Sequence, residues 1–331
     1  MYPKVSIAIP VYCVETRIER CAISLFEQSY TNIEYIFVND CSPDDSIIIL
    51  REVCEKYPER VPFIKIINHE RNLGLASARN TALDNATGEF IFHVDSDDFL
   101  DKHAIELLIN RQLEGDFDIV NVHYLVHNEI SDEEWTIQDF HSPCEMTRLI
   151  LSRKTPVCVA GRLIRKSLYT DNKIRAIDGV NMAEDYAVSP LLSFFAKRVT
   201  TLHLALYHYD RTNELSYTNS FSENKYEQIW MVLEHLYKFF NDKAEDFQKS
   251  LDVGKTSIIL MQMKACLLAG GNKKYYEILS RRLFEIVGVS INEIPIFDRI
   301  FLYVRNYNIL RLYMFLAFHT KKIIKRLYRY D

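Results

Sequence analysis

The sequence predicts an α/β fold with a mostly parallel central sheet, followed by a helical C-terminal region. Two patterns in the chain support this prediction. Short apolar runs typical of buried strands alternate with helical spacing over residues 1–100, and this alternation indicates βαβ units whose strands run parallel. From about residue 221 onward the apolar residues keep helical spacing to the end of the chain, which favours helices alone in that region.

The first hundred residues are predicted to form strands joined by helices, in a Rossmann-like arrangement typical of nucleotide binding. Apolar residues from position 18 onward recur at i, i+3, i+4 and i+7, as on the buried face of a helix. Ser42-Pro43 is predicted to start the second helix, because proline suits the first helical position. The predicted strands are 5–11, 33–38, 63–67 and 89–94, and an alanine-rich third helix spans 75–86.

The remainder of the chain is less regular up to about residue 220. A switch in periodicity near 218–222 suggests the domain boundary there, and no internal repeat is visible. The predicted elements are a helix near 102–113, a strand at 118–127, a hairpin through Trp135, a short helix near 145–152, an apolar helix that ends at Phe195, a strand near 199–207, and helices at 225–241, 255–268 and 273–287.

Composition and charge describe an ordinary soluble globular protein. The chain has 331 residues, of which 48% are apolar and 26% charged, and its net charge of −5 gives no sign of nucleic-acid binding. Its seven cysteines are scattered without a CxxC pair, which favours reduced thiols in a cytoplasmic setting. The first apolar run is too short for a signal peptide, and no apolar window is long enough to predict a spanning helix.

Three carboxylates follow the fourth predicted strand, at Asp95, Asp97 and Asp98. Side chains alternate along an extended chain, so Asp95 and Asp97 are expected on one face, roughly 7 Å apart. Ligands bind at the carboxyl ends of strands in open α/β sheets, and hard oxygen donors there suit Mg²⁺ or Mn²⁺ bridged to a phosphate. The alternative is a solvated acidic turn before the next helix, a place that suits Asp98 or Asp101.

Polar residues also follow the first two strands, at Tyr12 and Asp40. The carboxyl ends of parallel strands meet at one edge of the sheet, so these two side chains and the acidic cluster are expected to converge on one crevice.

Four segments, with an acidic pair downstream, resemble a known family. In their order and spacing they are similar to family 2 inverting glycosyltransferases of the GT-A fold, among them bacterial enzymes that build capsular, exopolysaccharide or lipopolysaccharide glycans. The resemblance covers roughly residues 3–215, and it implies a GT-A domain at 1–220, with a nucleotide-binding half at 1–100 and an acceptor half at 101–220, before the helical region at 221–331. The segments are Val5-Ser6-Ile7-Ala8-Ile9-Pro10-Val11-Tyr12, Ile36-Phe37-Val38-Asn39-Asp40-Cys41-Ser42, Asn72-x-Gly74-x-x-x-Ala78-Arg79-Asn80 and Asp95-x-Asp97-Asp98, followed by Glu184-Asp185.

The resemblance implies a pocket for the base of the donor nucleotide. Pro10 and Tyr12 would line it, with Tyr12 stacking on uracil, although a tyrosine can also simply end a core strand. Asp40 would accept a hydrogen bond from the uracil N3–H, which a carboxylate can do. The alternative for Asp40 is a cap for the helix predicted to begin at Pro43.

Four further positions enter the donor site through the same resemblance. Glu15 keeps its place in the loop after the first strand, whereas Cys13 stands where relatives usually carry asparagine. Arg79 would sit near the nucleotide as a cation among anionic groups. His208 and Arg211 lie where many relatives place a loop over the diphosphate.

The resemblance also assigns the metal and the catalytic acids. Asp97 would bind the Mn²⁺ or Mg²⁺ ion. Asp95 would bind the ribose, or would bind the metal through a water molecule. Ser96, next to Asp95, would also lie in the donor site. The cation would stabilise the departing diphosphate as a Lewis acid. Asp185, paired with Glu184, would act as general base on the acceptor hydroxyl. The alternative is an acid favoured at a helix N-terminus by the helix dipole.

The expected function is a metal-dependent inverting transfer of one sugar from a nucleotide sugar, with UDP as the expected nucleotide. The acceptor would be a saccharide or lipid-linked saccharide at the inner face of the cell membrane. No Q-x-x-R-W motif is present, which favours single-sugar addition over processive synthesis. Two alternatives remain open: a sugar-phosphate nucleotidyltransferase, which would need a glycine-rich phosphate loop after the first strand, and a non-catalytic nucleotide-sugar-binding subunit.

Three weaker motifs point elsewhere and are set aside. Gly254-Lys255-Thr256 resembles the end of a P-loop, but position 249 is lysine and no strand precedes it. His123 and His127 fall in a predicted strand, where their spacing puts them roughly 13 Å apart, too far for one zinc ion. No G-x-G-x-x-G follows the first strand, which argues against a dinucleotide-dependent dehydrogenase.

The C-terminal tail is basic and apolar. This pattern suits an in-plane helix in peripheral contact with an anionic membrane. The alternative is that residues 300–318 pack on the catalytic domain and only the last residues form a solvated basic tail. Its bases are Arg299, Arg305, Arg311, Lys321, Lys322, Lys325, Arg326 and Arg329, and its only acid is Asp331.

Overall fold

The computed structural model describes residues 2–213, 222–270, 272–286, 289–304 and 306–327, with only the backbone for 318–327. The chain divides into two compact units, one made of residues 1–150 with 154–219 and the other of 151–153 with 220–331. The boundary predicted near 218–222 falls mostly on residues outside the described ranges.

Strands and helices alternate through the first unit and give way to helices in the second. The strands are β1 Val5–Val11, β2 Ile33–Asn39, β3 Ile64–Asn68, β4 Phe90–His93, β5 Phe99–Leu100, β6 Ile119–His127, β7 Glu133–Trp135, β8 Arg162–Arg165 and β9 Val199–Asp210. The helices are α1 Ile18–Phe26, α2 Ser46–Lys56, α3 Leu75–Asn85, α4 Ala104–Gly115, α5 Pro143–Leu151, α6 Lys166–Asp171, α7 Glu184–Phe195, α8 Glu223–Phe240, α9 Glu245–Leu268, α10 Lys273–Phe284, α11 Ile300–Tyr303 and α12 Tyr307–Leu327.

The central sheet has the strand order β3-β2-β1-β4-β8-β6-β9-β5, with β7 paired to β6. Strands β3, β2, β1 and β4 run parallel, as do β6 and β9, whereas β8 is antiparallel to both of its neighbours. The predicted α/β fold with a mostly parallel sheet is therefore confirmed. Because the chain steps from β1 toward β3 and then returns to place β4 on the other side of β1, a topological switch point lies between β1 and β4.

The sheet core is apolar on both faces. Every residue of β1 is buried, and α3 packs against β1 and β2. Phe37 in β2 and Phe92 in β4 are fully buried. Each contributes about 1.5–3 kcal/mol through the hydrophobic effect, so the strands whose ends carry the site are held rigidly.

The predicted start of the second helix at Ser42-Pro43 is wrong, since α2 begins at Ser46. The residues before it support the loop that follows β1 instead. Ser42 Oγ accepts the Cys13 N–H at 2.8 Å, and Asp44 accepts the Glu15 N–H at 3.0 Å. Side chains that would cap a helix are thus used to fix a neighbouring loop.

Three elements differ from the sequence prediction in extent or type. Strand β8 lies in a segment that was not predicted as a strand, because it begins with Arg162, a charged residue that is only 2% exposed. Its guanidinium donates to the Pro156 carbonyl at 2.6 Å and to Ser189. Strand β9 continues to Asp210, beyond its predicted end. Helix α9 begins at Glu245 and contains Gly254, so the glycine of the P-loop-like motif lies inside a helix.

The second unit is helical in its described part. Helix α9 packs against α8, α10 and α12. Its buried face includes Leu251, Ile258 and Met263. Among the described residues, no helix combines the length and hydropathy that crossing a bilayer requires.

Candidate active site

The three carboxylates after β4 lie in a turn. Strand β4 ends at His93, and the Asp98 N–H donates to the Asp95 carbonyl at 2.9 Å. The expectation that Asp95 and Asp97 alternate along an extended chain is therefore wrong, since a turn re-aims their side chains. The turn lies at the switch point, where ligands bind in folds of this kind.

Asp98 holds this turn in place. Its carboxylate accepts the Tyr207 hydroxyl at 2.6 Å and the Asp210 N–H at 2.9 Å. Burial, followed by the charges of the neighbouring carboxylates, raises the pKa of Asp98 well above its usual range. The solvated-cap alternative is wrong for Asp98, which is 1% exposed, but Asp101 does accept the His103 N–H at 2.8 Å ahead of α4.

Asp97 has polar partners from two other parts of the first unit. The Asn213 amide donates to its carboxylate at 2.9 Å, and Arg20 of α1 donates to its carbonyl at 3.1 Å. Burial, and then the charge of Asp95, raises the pKa of Asp97. A cation near Asp97 would stabilise the ionised form of its carboxyl group and lower its pKa.

Arg79 of α3 joins the acidic turn to the start of α7. Its guanidinium lies 2.8 Å from Asp95 and 2.7 Å from Glu184, and it also pairs with Asp185. Burial works against the charged form of Arg79, but the three carboxylates outweigh it and raise the pKa of Arg79 well above its usual value. The structure thus brings Arg79, Asp95, Glu184 and Asp185 together around one charge.

The acidic pair opens α7. Asp185 accepts the Val159 N–H at 3.3 Å, and burial raises the pKa of its carboxyl group, against the opposing effect of Arg79. Burial, and then the charge of Asp185, raises the pKa of Glu184 to about 8. One guanidinium cannot neutralise three carboxylates, so the cluster favours a proton on one of them. A carboxylate whose pKa lies above its usual range is suited to accept a proton from a substrate hydroxyl.

Asp40 is buried and organises the loop before α3. It accepts the N–H groups of Leu73 at 2.8 Å and Gly74 at 2.7 Å, and it lies 2.7 Å from His69 Nδ1. The alternative of a cap for a helix at Pro43 is therefore wrong. Contact between the Asp40 carboxylate and uracil is not tested by this geometry and stays a prediction.

The other donor-site candidates near β1 and β4 differ in exposure. Tyr12, directly after β1, is 46% exposed, so its ring is open to contact. Pro10 is buried within β1, opposite Val38, and Ser96 is buried in the acidic turn. The Glu15 carboxylate accepts the Asp45 N–H at 3.2 Å and so holds the start of α2. Donor binding by these residues remains a prediction.

His208 and Arg211 lie in and directly after β9. The expected loop is wrong for His208, which sits within β9, with its ring stacked on Phe99 at 4.3 Å between centroids. The Arg211 guanidinium lies 5.3 Å above the Trp135 ring. His208 therefore lies beside the residue that follows the acidic turn and Arg211 beside β7, and their place near the diphosphate stays a prediction.

The two histidines of β6 each pair with a histidine of β9. His123 lies 3.2 Å from His203, and His127 lies 2.9 Å from His208. Throughout the described part of the chain, no three His, Cys, Asp or Glu side chains are grouped so that they could hold a metal ion. Asp95 and Asp97 alone would leave coordination positions to water and phosphate oxygens, which is how Mg²⁺ is commonly bound.

Several residues that shape the site were missed in the sequence. Tyr207 and Asp210 lie in a polar run at the end of the last predicted strand, which is a signal that could have marked them. The sequence gives no such signal for Arg20 and His69, because a charged residue on a helix face or after a strand is usually exposed to solvent. The missed residues are Arg20, His69, Tyr207, Asp210 and Asn213.

Comparisons with known proteins agree on one family. The family model described as "Glycosyl transferase family 2" matches residues 6–171. The "Putative glycosyltransferase EpsH" of Bacillus subtilis (strain 168) is 31% identical over 294 residues, covering 86% of this chain and 80% of that protein. The "Minor teichoic acid biosynthesis protein GgaB" of the same organism is 29% identical over 62% of this chain, although this match covers only 22% of GgaB.

A solved structure supports the same architecture. The crystal structure of Staphylococcus aureus TarS 1-349 in complex with UDP-GlcNAc superimposes with a TM-score of 0.70 at 20% sequence identity, over 86% of this chain and 82% of that one. The likeness concerns the fold, and it confirms the GT-A architecture expected from the sequence.

Proposed function

The chain belongs to glycosyl transferase family 2, and from that premise we propose that it is a metal-dependent inverting enzyme. It moves one sugar from a UDP-sugar to a hydroxyl of a saccharide or lipid-linked saccharide. The step belongs to the synthesis of a bacterial surface polysaccharide, a role supported by the teichoic acid relative and by the motif resemblance.

One observation carries the proposal: Arg79 holds Asp95 of the acidic turn and Asp185 of α7 around the same charge. This contact supports a site in which the donor side, at Asp95, and the acceptor side, at Asp185, are adjacent. Asp185 takes the proton of the acceptor hydroxyl while the oxygen of that hydroxyl bonds to the anomeric carbon of the donor sugar. The bond from that carbon to the diphosphate oxygen breaks on the opposite face, which inverts the configuration.

The residues of the acidic turn fit a divalent cation. Asp97 and Asp95 supply carboxylate oxygens, the ligand type that Mg²⁺ and Mn²⁺ prefer. Burial already disfavours the Asp97 negative charge, so a cation there would relieve an unfavourable charge. When bound, the metal would neutralise charge on the departing diphosphate.

Tyr12 and Asp40 support the choice of a uridine nucleotide. The half-exposed Tyr12 ring offers a stacking surface at the rim of the site. Asp40 has three hydrogen-bond partners, and a carboxylate has about four acceptor positions, so one remains for the uracil N3–H. A lipid-linked acceptor would be met at the inner face of the membrane, with the enzyme as a peripheral protein.

The test is a thermal-shift panel of nucleotide sugars with Mn²⁺, because a ligand that binds the native state raises its melting temperature. The donor that stabilises the protein is then incubated with it, and released UDP is measured. UDP-sugars are expected to give the largest shift and slow hydrolysis. Binding without hydrolysis would indicate a non-catalytic subunit, and turnover of UTP with a sugar 1-phosphate would indicate a nucleotidyltransferase.

A further inference from the structure

Helix α12 has apolar residues on two faces. Leu310 is fully buried, and the helix packs against α9. Ile309, Leu312 and Leu316 follow one another at spacings of three and four residues, yet they are 56%, 59% and 56% exposed. Leucine and isoleucine at these spacings form one stripe along a helix, so a second apolar stripe faces solvent.

The segment before α12 adds three more exposed apolar side chains. Ile296, Phe297 and Tyr303 are 71%, 77% and 71% exposed. Together with Ile309, Leu312 and Leu316 they are called the C-terminal apolar surface. Large apolar side chains exposed in such number within a short stretch are typical of interaction sites rather than of ordinary protein surface.

The sequence that carries the C-terminal apolar surface is predominantly basic. Within residues 296–317 the only acid is Asp298, which forms an ion pair with Lys264 at 2.8 Å. From residue 299 to the end there are eight bases and one acid, whereas the whole chain carries a net charge of −5. In the sequence, positive charge is therefore concentrated in and after the segment that carries the apolar surface, in a chain whose net charge is negative.

The sequence continues the pattern along α12, whose backbone runs through Leu327. In the sequence, Ile323 and Leu327 fall seven and eleven residues after Leu316, spacings typical of one apolar face of an amphipathic helix. Lys322 and Arg326 fall next to them in the sequence. Apolar residues on one side with bases beside them are the signature of a helix that lies in the plane of a membrane surface.

We infer that the C-terminal apolar surface binds an anionic lipid bilayer, with α12 lying in the plane of the membrane. The apolar side chains enter the headgroup boundary, and the bases contact anionic headgroups. A second copy of the chain fits this surface less well, because two basic segments would be brought together. The inference deepens the proposed function, on which its biological sense rests, since it places the enzyme where a lipid-linked acceptor would be.

Vesicle flotation with the full-length protein tests the inference. Vesicles of phosphatidylcholine alone are compared with vesicles containing 30% phosphatidylglycerol, at low and high salt. Binding is expected only to the anionic vesicles, with at least a tenfold loss in about 0.5 M salt, where charges are strongly screened. The double variant Leu312→Glu with Leu316→Glu should lose binding at least tenfold while keeping its melting temperature and its hydrolysis of the donor.

A matched control carries the same two charges elsewhere. Ile48 and Leu204 are 58% and 44% exposed in the first unit, so Ile48→Glu with Leu204→Glu should leave flotation unchanged. Full-length protein that ignores anionic vesicles at low salt overturns the inference. So does light scattering that shows a dimer which Leu312→Glu with Leu316→Glu dissociates. Flotation without donor turnover would reject only the proposed function, and turnover without flotation only this inference.

Discussion

A single substitution tests whether Asp185, rather than Glu184, is the general base. Asp185→Asn keeps the shape and burial of the side chain but removes its ability to take a proton. Turnover is expected to fall by on the order of 10²–10⁴, the usual contribution of a general base, while UDP affinity changes little. Steady-state kinetics and calorimetry measure the two effects. Normal turnover in this variant would show that another carboxylate, Glu184 first, is the base.

The role of Asp97 predicts a coupling between metal and donor. In the wild type, UDP affinity should weaken by at least about tenfold when EDTA replaces Mn²⁺, which is about 1.4 kcal/mol. Asp97→Ala should bind UDP weakly under both conditions. Asp84→Ala is the control, since Asp84 is an exposed carboxylate paired with Arg175. Equal UDP affinity with and without metal in the wild type would contradict the assignment.

The raised pKa of Glu184 predicts a pH dependence of stability. Its carboxyl group titrates at about 8 in the folded chain and near 4.3 when unfolded. Between these values the native state binds more protons, so this group's contribution to the free energy of unfolding falls as pH rises from about 4.5 to 8. Urea denaturation of the wild type should show this fall relative to Glu184→Gln. A difference between the two that stays constant over this range would argue against a raised pKa.

At the level of the loops, Gly74 is a position where a side chain is excluded. Its φ is +91°, and a Cβ there would lie 2.2 Å from Asn181 Oδ1. Gly74→Ala is therefore expected to cost about 1–3 kcal/mol for a backbone conformation (φ 91°, ψ 166°) that is essentially restricted to glycine, plus the collision, and to weaken UDP binding through the hydrogen bond of Gly74 to Asp40. Urea denaturation and calorimetry measure the two losses.

Gly179 provides the matched control for Gly74. Its φ is +78°, but nothing lies within 4 Å of a Cβ placed there. Gly179→Ala should thus show the backbone cost alone, and adding Asn181→Ala to Gly74→Ala should recover part of the difference. If adding Asn181→Ala to Gly74→Ala recovers none of the lost stability, the collision with Asn181 carries no energy.

Elements were predictable from the sequence where one physical preference decided them. Strand β1 was found because seven consecutive residues suit burial on both faces. The predicted start of α2 is misplaced because Ser42 bonds to the loop after β1, while Asp44 accepts both the Glu15 N–H of that loop and the Ser46 N–H at the actual start of α2. Strand β8 was missed because a buried arginine breaks the apolar pattern. In each failure a tertiary contact overrode a local preference.

The site was likewise predictable where a local sequence pattern marks a residue, and not where a tertiary contact decides its role. Asp97, Asp185 and Arg79 are predicted from motifs, whose spacing is visible in one chain, and the structure brings Arg79 and Asp185 into contact. That Asp40 would bind two backbone N–H groups was not predictable, because a backbone donor leaves no trace in residue identity. The nearness of His208 to the diphosphate stays a prediction, but the residue lies in β9, opposite Phe99, rather than in the expected loop.

For the molecule as a whole, cysteine chemistry gives a direct check of the fold. All seven cysteines are free thiols, so reductant should leave the melting temperature unchanged. Cys41 and Cys144 are exposed, whereas Cys21 and Cys266 are buried. A thiol reagent should react quickly with the exposed pair, slowly or not at all with the buried pair, and with all seven in denaturant. Fewer than seven reactive thiols in the denatured chain would reveal a disulfide.

The pairing of β5 with β9 has an evolutionary consequence. Phe99 lies opposite His208, and Leu100 lies opposite Tyr207, so the chain leaves the acidic turn and returns to it at adjoining points. A segment whose two ends meet in this way can be exchanged while the chain on either side keeps its path, provided that its strand β8 still pairs with β4. Residues 101–206 supply Asp185 and its surroundings, while Tyr12, Asp40 and Asp97, the residues proposed to bind the donor, lie outside them. On the proposed assignment, exchange of this segment among relatives would alter the acceptor side and leave the proposed donor residues in place.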